Sequence, residues 1–175
     1  MGFLESLFGP KRPSIRAEDL CEKYLDDILS AEKRSSHIDT LTKLTLEYKE
    51  LQGIDAQKYI EEITALNIEM LRFAWDQACL MGVLPEKHVE DMVSATLGIS
   101  DSRVEKYEPL IEAYSQVIGR SPDLETIDAI KELTSTLLER VCIKGAPEEL
   151  TDRLHSEFGA LFYAMVDGLK LWKLE

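Results

Sequence analysis

The chain has 175 residues, 45% of them apolar and 30% charged, with a formal net charge of −13 at pH 7. That much apolar material argues against disorder throughout and is enough for a buried core, and one domain is the default at this length. The carboxylate excess disfavours nucleic-acid binding, which works by neutralising phosphates with Lys and Arg, and no apolar run approaches the roughly 18 residues of a membrane-spanning helix.

Residues 1–13 differ from the rest. Phe3, Leu4, Leu7 and Phe8 make a short amphipathic turn that Gly9-Pro10 stops, and Lys11, Arg12 and Arg16 follow. An apolar wedge followed by cations is one way to touch an anionic membrane surface. The preferred expectation is a tail that folds back on the body or docks a partner.

A first helix is expected from about Ser14 to Arg34, with Leu20, Tyr24, Leu25, Ile28 and Leu29 as its buried stripe. Ser36 and Asp39 resemble a capping box opening a second helix, which carries Ile38, Leu41, Leu44, Tyr48 and Leu51 to a stop at Gly53. A connection of about three residues then predicts an antiparallel neighbour.

The longest uninterrupted stretch runs from Asp55, a suitable N-cap, to Gly82, which suits the left-handed position that closes a helix. Tyr59, Ile60, Ile63, Leu66, Met70, Leu71, Phe73, Ala74, Ala78 and Met81 share one arc of more than half the circumference. Such a helix needs two or more partners. Glu61, Glu62, Glu69, Arg72 and Asp76 share the remaining arc, where Glu69, Arg72 and Asp76 are expected to form solvated ion pairs. Asn67 falls inside the apolar arc. It reads either as a core amide satisfied by its neighbours or as a polar point in a small pocket.

A fourth helix is expected over Pro85–Leu97, and a fifth from Ser100 to Ile118 with a kink or break at Pro109. Ser121-Pro122 restarts the chain into a sixth that ends at Gly145, and Pro147 opens a last helix reaching Trp172. No segment alternates with period two for long enough to predict a strand. The fold class is therefore all-α: a compact bundle of about seven helices, a single helical domain over 14–175, with the two long helices (about 56–81 and 147–172) packed together.

Little in the sequence assembles chemistry. Cys21, Cys79 and Cys142 are dispersed and odd in number, which fits reduced thiols in a cytoplasmic protein. Asp152 and His155 are the nearest approach to the carboxylate–histidine spacing of helical metal sites. On the helical wheel Asp152 points outward, and His155 is expected to bond its own helix. His37 is placed at a helix start and His88 on a wet face. The glycines end helices rather than form a phosphate loop. No catalytic residue, metal or cofactor is assigned. The leading expectation is a non-enzymatic cytoplasmic interaction or regulatory module that binds a protein partner or itself, with Phe3, Leu4, Leu7, Phe8, Tyr163, Leu171 and Trp172 as its interface. The alternative is a small-molecule or lipid pocket at Tyr59, Asn67 and Met70 with C-terminal aromatic walls. A metal-dependent enzyme using Asp152 and His155 stands third.

Overall fold

Ser30 divides what the sequence reads as one helix into two. In the computed structural model, which describes residues 13–82, 102–119, 125–141 and 145–174, helix α1 (Ala17–Leu29) ends where Ser30 takes an extended conformation. The Ser30 hydroxyl then accepts the backbone N–H of Lys33 at 3.0 Å and opens α2 (Ala31–Glu47). The expected helix to Arg34 and the capping box at Ser36 and Asp39 are both corrected. The first-turn donor that needs a partner lies six residues earlier, and Ser30 supplies the oxygen.

After a 3-10 turn at Lys49–Leu51, Asp55 caps α3 (Ala56–Leu80), accepting N–H bonds from Gln57 at 2.8 Å and Lys58 at 3.2 Å. Gly82 closes it at φ +68°. His37, ten residues before the end of α2, meets Asn67, eleven residues into α3. That mirrored pairing is the geometry of an antiparallel hairpin. The remaining helices are α4 (Ser102–Glu105), α5 (Glu108–Gly119), α6 (Thr126–Val141) and α7 (Glu148–Leu169). The chain breaks between α4 and α5, which puts Pro109 in the first turn of α5, where its missing N–H forfeits no ladder bond. The helix expected over Pro85–Leu97, His88 on it, and the tail residues Phe3, Leu4, Leu7 and Phe8 lie outside the described residues.

The protein is an all-α bundle organised on α3, which touches α1, α2, α5, α6 and α7. The two long helices pack together, with the Phe73 and Phe162 rings 5.3 Å apart. One small sheet departs from the expectation of no strand. β1 (Ser14–Ile15) pairs in parallel with β2 (Lys173–Leu174), and the Lys173 N–H donates to the Pro13 carbonyl at 3.1 Å. Two-residue strands are too short to show alternation. They also explain why α7 stops at Leu169 rather than Trp172, because the chain must extend to reach Ser14.

Every residue from Glu62 to Leu71 is buried. Two of the five residues of the polar arc, Glu62 and Glu69, are therefore not wet, which corrects the expected solvation of the Glu69–Arg72 pair, whereas Asp76 is exposed. Glu69 is buried and bonds Arg72 at 2.7 Å, and Arg72 reaches Ser115 of α5 at 3.3 Å. Desolvation pushes the Glu69 carboxyl upward in pKa, against the pull of Arg72. One turn-pair away, Glu62 accepts the Tyr114 hydroxyl at 2.9 Å and the Arg140 Nε–H at 2.8 Å, joining α3 to α5 and α6. Removing Glu62 leaves the buried Tyr114 hydroxyl without its acceptor and the Arg140 guanidinium without its carboxylate. Glu62→Ala is expected to cost about 2–3 kcal/mol in urea unfolding, below the full buried-pair value because Arg140 is one-third exposed. Arg153→Ala, which releases only exposed partners, is expected to cost under about 1 kcal/mol.

Candidate ligand-binding groove

The opposite face of α3 is less completely filled. Lys33, Ser36, His37 and Thr40 of α2, Tyr59, Ile63 and Asn67 of α3, and Leu154, Glu157, Phe158 and Leu161 of α7 enclose a cleft of about 200 Å³. A second cleft, about 180 Å³, lies between Tyr24, Asp27 and Ile28 of α1 and Leu161, Ala164 and Met165 of α7, and again includes Lys33 and Asn67. A third, about 260 Å³, is bounded by Leu20, Lys23, Tyr24, Asp27, Gly168, Leu171 and Trp172. Adjacent clefts share walls, Lys33, Asn67 and Leu161 in one case and Tyr24 and Asp27 in the other. Together they follow α7 from Leu154 to its C-terminal end. Each alone is smaller than the ~300–1,000 Å³ typical of ligand sites.

Asn67 stands at the junction of the first two clefts. It is 1% exposed. Its Nδ2 lies 3.4 Å from His37 Nε2, while its Oδ1 is buried with no hydrogen-bond partner. Half the amide is therefore partnered within the core and the other half is not. An unpaired buried acceptor costs about 1–3 kcal/mol.

His37 is buried in mid-helix, not at a helix start. Burial, helped by the nearby Lys33 charge, pushes its pKa down to about 4. The imidazole is neutral at physiological pH and holds Asn67 as a dipole, not an ion. The same desolvation, with Glu157 close by, raises the Tyr59 hydroxyl above its ordinary value. His37 and Tyr59 thus bring no charge to the junction, and Lys33 is the charged residue that borders both clefts.

Gly168 sets the approach of α7 to α1. A Cβ there would lie 2.6 Å from the Tyr24 hydroxyl, so the missing side chain is what lets the Tyr24 ring lie between the second and third clefts. At the far end, Arg153 of α7 pairs with Glu47 at the close of α2.

Of the residues singled out for a pocket, Tyr59 and Asn67 line the same cleft, and Phe158 supplies an aromatic wall. Met70 is fully buried and borders none of the three clefts. Among the interface candidates, Tyr163 and Leu171 are exposed and Trp172 is half-buried, its ring 4.8 Å from the Lys23 ammonium. Cys21 packs in the core and Cys79 is half-buried. Cys142 lies outside the described residues. His155 Nε2 meets the Ile127 carbonyl at 3.2 Å, so it ties α7 to α6, which corrects the expected bond to its own helix. Asp152 is exposed. Among the described residues no three His, Cys, Asp or Glu side chains gather as a metal site would require. Among the same residues no helix is long and apolar enough to cross a membrane.

Sequence reasoning missed Lys33, His37 and Tyr24 as wall residues. For His37 a signal existed. It precedes Leu41 and Leu44 by four and seven, so it belongs to the buried stripe of α2, and only the misplaced helix start concealed it. Comparison with protein-family models, curated proteins and solved structures gives no match to this chain.

The lowered pKa of His37 has a testable sign. Its ordinary value is about 6.5 in the unfolded chain. As pH falls below that, the unfolded state takes up a proton that the folded state refuses until about pH 4. Stability is lost across that window and levels off below it. His37→Gln is expected to remove on the order of 2 kcal/mol of the acid-induced loss between pH 7 and pH 4, read as the difference between the two proteins' urea-unfolding curves.

Proposed function

We propose that the protein is a non-enzymatic binding module that takes an elongated, largely apolar small molecule in the groove along α7. The observation that carries this reading is the unpaired Asn67 Oδ1 at the meeting point of two clefts walled mainly by aliphatic and aromatic side chains. A buried polar atom with no protein partner is one that a bound water or a ligand can complete, and of the described atoms in that state Asn67 Oδ1 belongs to the residue that borders these clefts. Apolar walls with one or two placed polar groups are the usual make-up of a small-molecule site. The dispersed cysteines support a reducing, cytoplasmic setting. A protein-interaction reading has less to stand on. The exposed large side chains Ile38, Leu46, Leu80, Met81, Ile127, Tyr163 and Leu171 are spread over α2, the end of α3, α6, α7 and the C-terminal segment, and single exposed apolar residues are ordinary.

An uncharged fluorescent probe, N-phenyl-1-naphthylamine, tests the groove. The full chain is expected to bind it saturably at one site. Ala164, exposed at the lip of the second cleft, offers a substitution that fills the groove and leaves the core alone. Ala164→Trp is expected to weaken the probe by about tenfold or more with thermal unfolding nearly unchanged. Non-saturable binding, or a stable Ala164→Trp protein with undiminished affinity, overturns the reading.

A further inference from the structure

The His37–Asn67 pair says more about what the groove would hold. The two side chains share one hydrogen bond, and it can be made in two ways. In one, the Asn67 amide N–H donates to His37 Nε2, the imidazole proton sits on Nδ1, and Oδ1 is left as an acceptor. In the other, the amide is turned over, His37 Nε2–H donates to Oδ1, and an amide N–H is left as a donor. Both keep the 3.4 Å contact, and both leave one half of the buried amide for a guest. A guest group that both donates and accepts fits either arrangement.

The rim disfavours ions. Lys33 borders the first cleft together with Glu157 and the second together with Asp27, and Lys23 faces Asp27 in the third. Asp27 and Glu157 border the same clefts as the two lysines, and Glu157 is itself held by Arg153. A carboxylate guest would meet a carboxylate beside Lys33 in either cleft, in a chain whose net charge of −13 repels anions at longer range. An ammonium guest would bury its charge against a neutral amide and a neutral imidazole, which does not compensate its lost hydration.

We propose that the ligand is an uncharged amphiphile whose hydroxyl or primary carboxamide head bonds the Asn67–His37 pair while its apolar chain runs along Leu161 and Met165 of α7. This rests on the groove reading and names the chemistry of the same site. Asn67 and His37 are then the specificity-determining residues and Leu161 the apolar floor common to two clefts.

The test is displacement of N-phenyl-1-naphthylamine from the full chain at pH 7.5 by five decyl compounds: 1-decanol, decanamide, decanoate, decylammonium and decane. Decanol and decanamide are expected to displace it at concentrations about tenfold or more below the other three, equivalent to one good hydrogen bond. In Asn67→Leu, with displacement scaled to that variant's own probe affinity, the preference of decanol over decane is expected to disappear. If decanoate or decylammonium displaces best, the neutral class is wrong. If decanol and decane are equal in the unaltered protein, or if Asn67→Leu keeps the preference, the amide is satisfied by solvent only and the proposal fails. Each of those results leaves probe binding, and so the groove, standing. Absence of saturable probe binding in the unaltered chain defeats both readings. The head-group series on the unaltered protein decides the proposal even where Asn67→Leu does not fold.

Discussion

A helix enclosed by five neighbours must place the polar side chains of its middle turns against protein rather than water, and α3 is in that position. The rest of the fold follows from how those residues are settled. Glu62 and Glu69 lie seven apart, on one face: Glu62 is met by Tyr114 and Arg140 from other helices, and Glu69 by Arg72 of α3 itself, which reaches Ser115 of α5. Taking a carboxylate out of water is expensive, and its return depends on geometry. These bonds therefore fix α5 and α6 on α3 more narrowly than apolar contact would. Apolar packing tolerates small slides, whereas a buried two-donor carboxylate does not.

Asn67 lies on the same helix and is settled differently. It faces α2 and α7, and there the accounting is left open by one oxygen. Arg72 Nε and Trp75 Nε1 of the same helix are also buried without a partner, but neither residue borders the clefts along α7, whereas Asn67 borders two of them. At Asn67 the chain offers one neutral imidazole, held by burial in the uncharged form. An amide costs less to leave half-paired than a carboxylate does, so this is where the fold can carry an open valence.

Much of the architecture was legible because it depends on local patterns. The wide apolar arc of α3 implied several partners, Asp55 and Gly82 marked its ends, and Pro109 marked a break. What was not legible depended on what lies opposite. A helical wheel separates polar from apolar arcs and says nothing of whether the polar arc meets water or Tyr114. Glu62 and Glu69 therefore read as wet. Ser30 was passed over because Leu25, Ile28 and Leu29 before it continue one periodic pattern, and a Ser within that pattern carries no mark of being a cap. The misplaced boundary then displaced His37, the partner Asn67 needs. Tyr59 and Asn67 were set apart by sequence and share a cleft, whereas Met70, three residues on from Asn67, has turned into the core.

The groove persists because α7, packed along its length on α3 and α6, is tied on its other side only near its two ends. At one end the β1–β2 ladder joins Ser14 to Lys173, with Ile15 and Leu174 packed against the core. At the other, Arg153 meets Glu47 and Glu157. Exposed ion pairs add little stability, so the ladder and the apolar contacts carry the energy, and Arg153 serves to set a position. Between these points α7 presents Leu161 and Ala164 towards α1 and α2, and neither is large enough to close the gap. Its 22 residues span about 33 Å, and the shape that results is long and narrow. Gly168 adds the last constraint. A methyl group there would force the Tyr24 hydroxyl to shift, so the absence of a side chain at Gly168 lets Tyr24 keep its present place in the walls of two clefts.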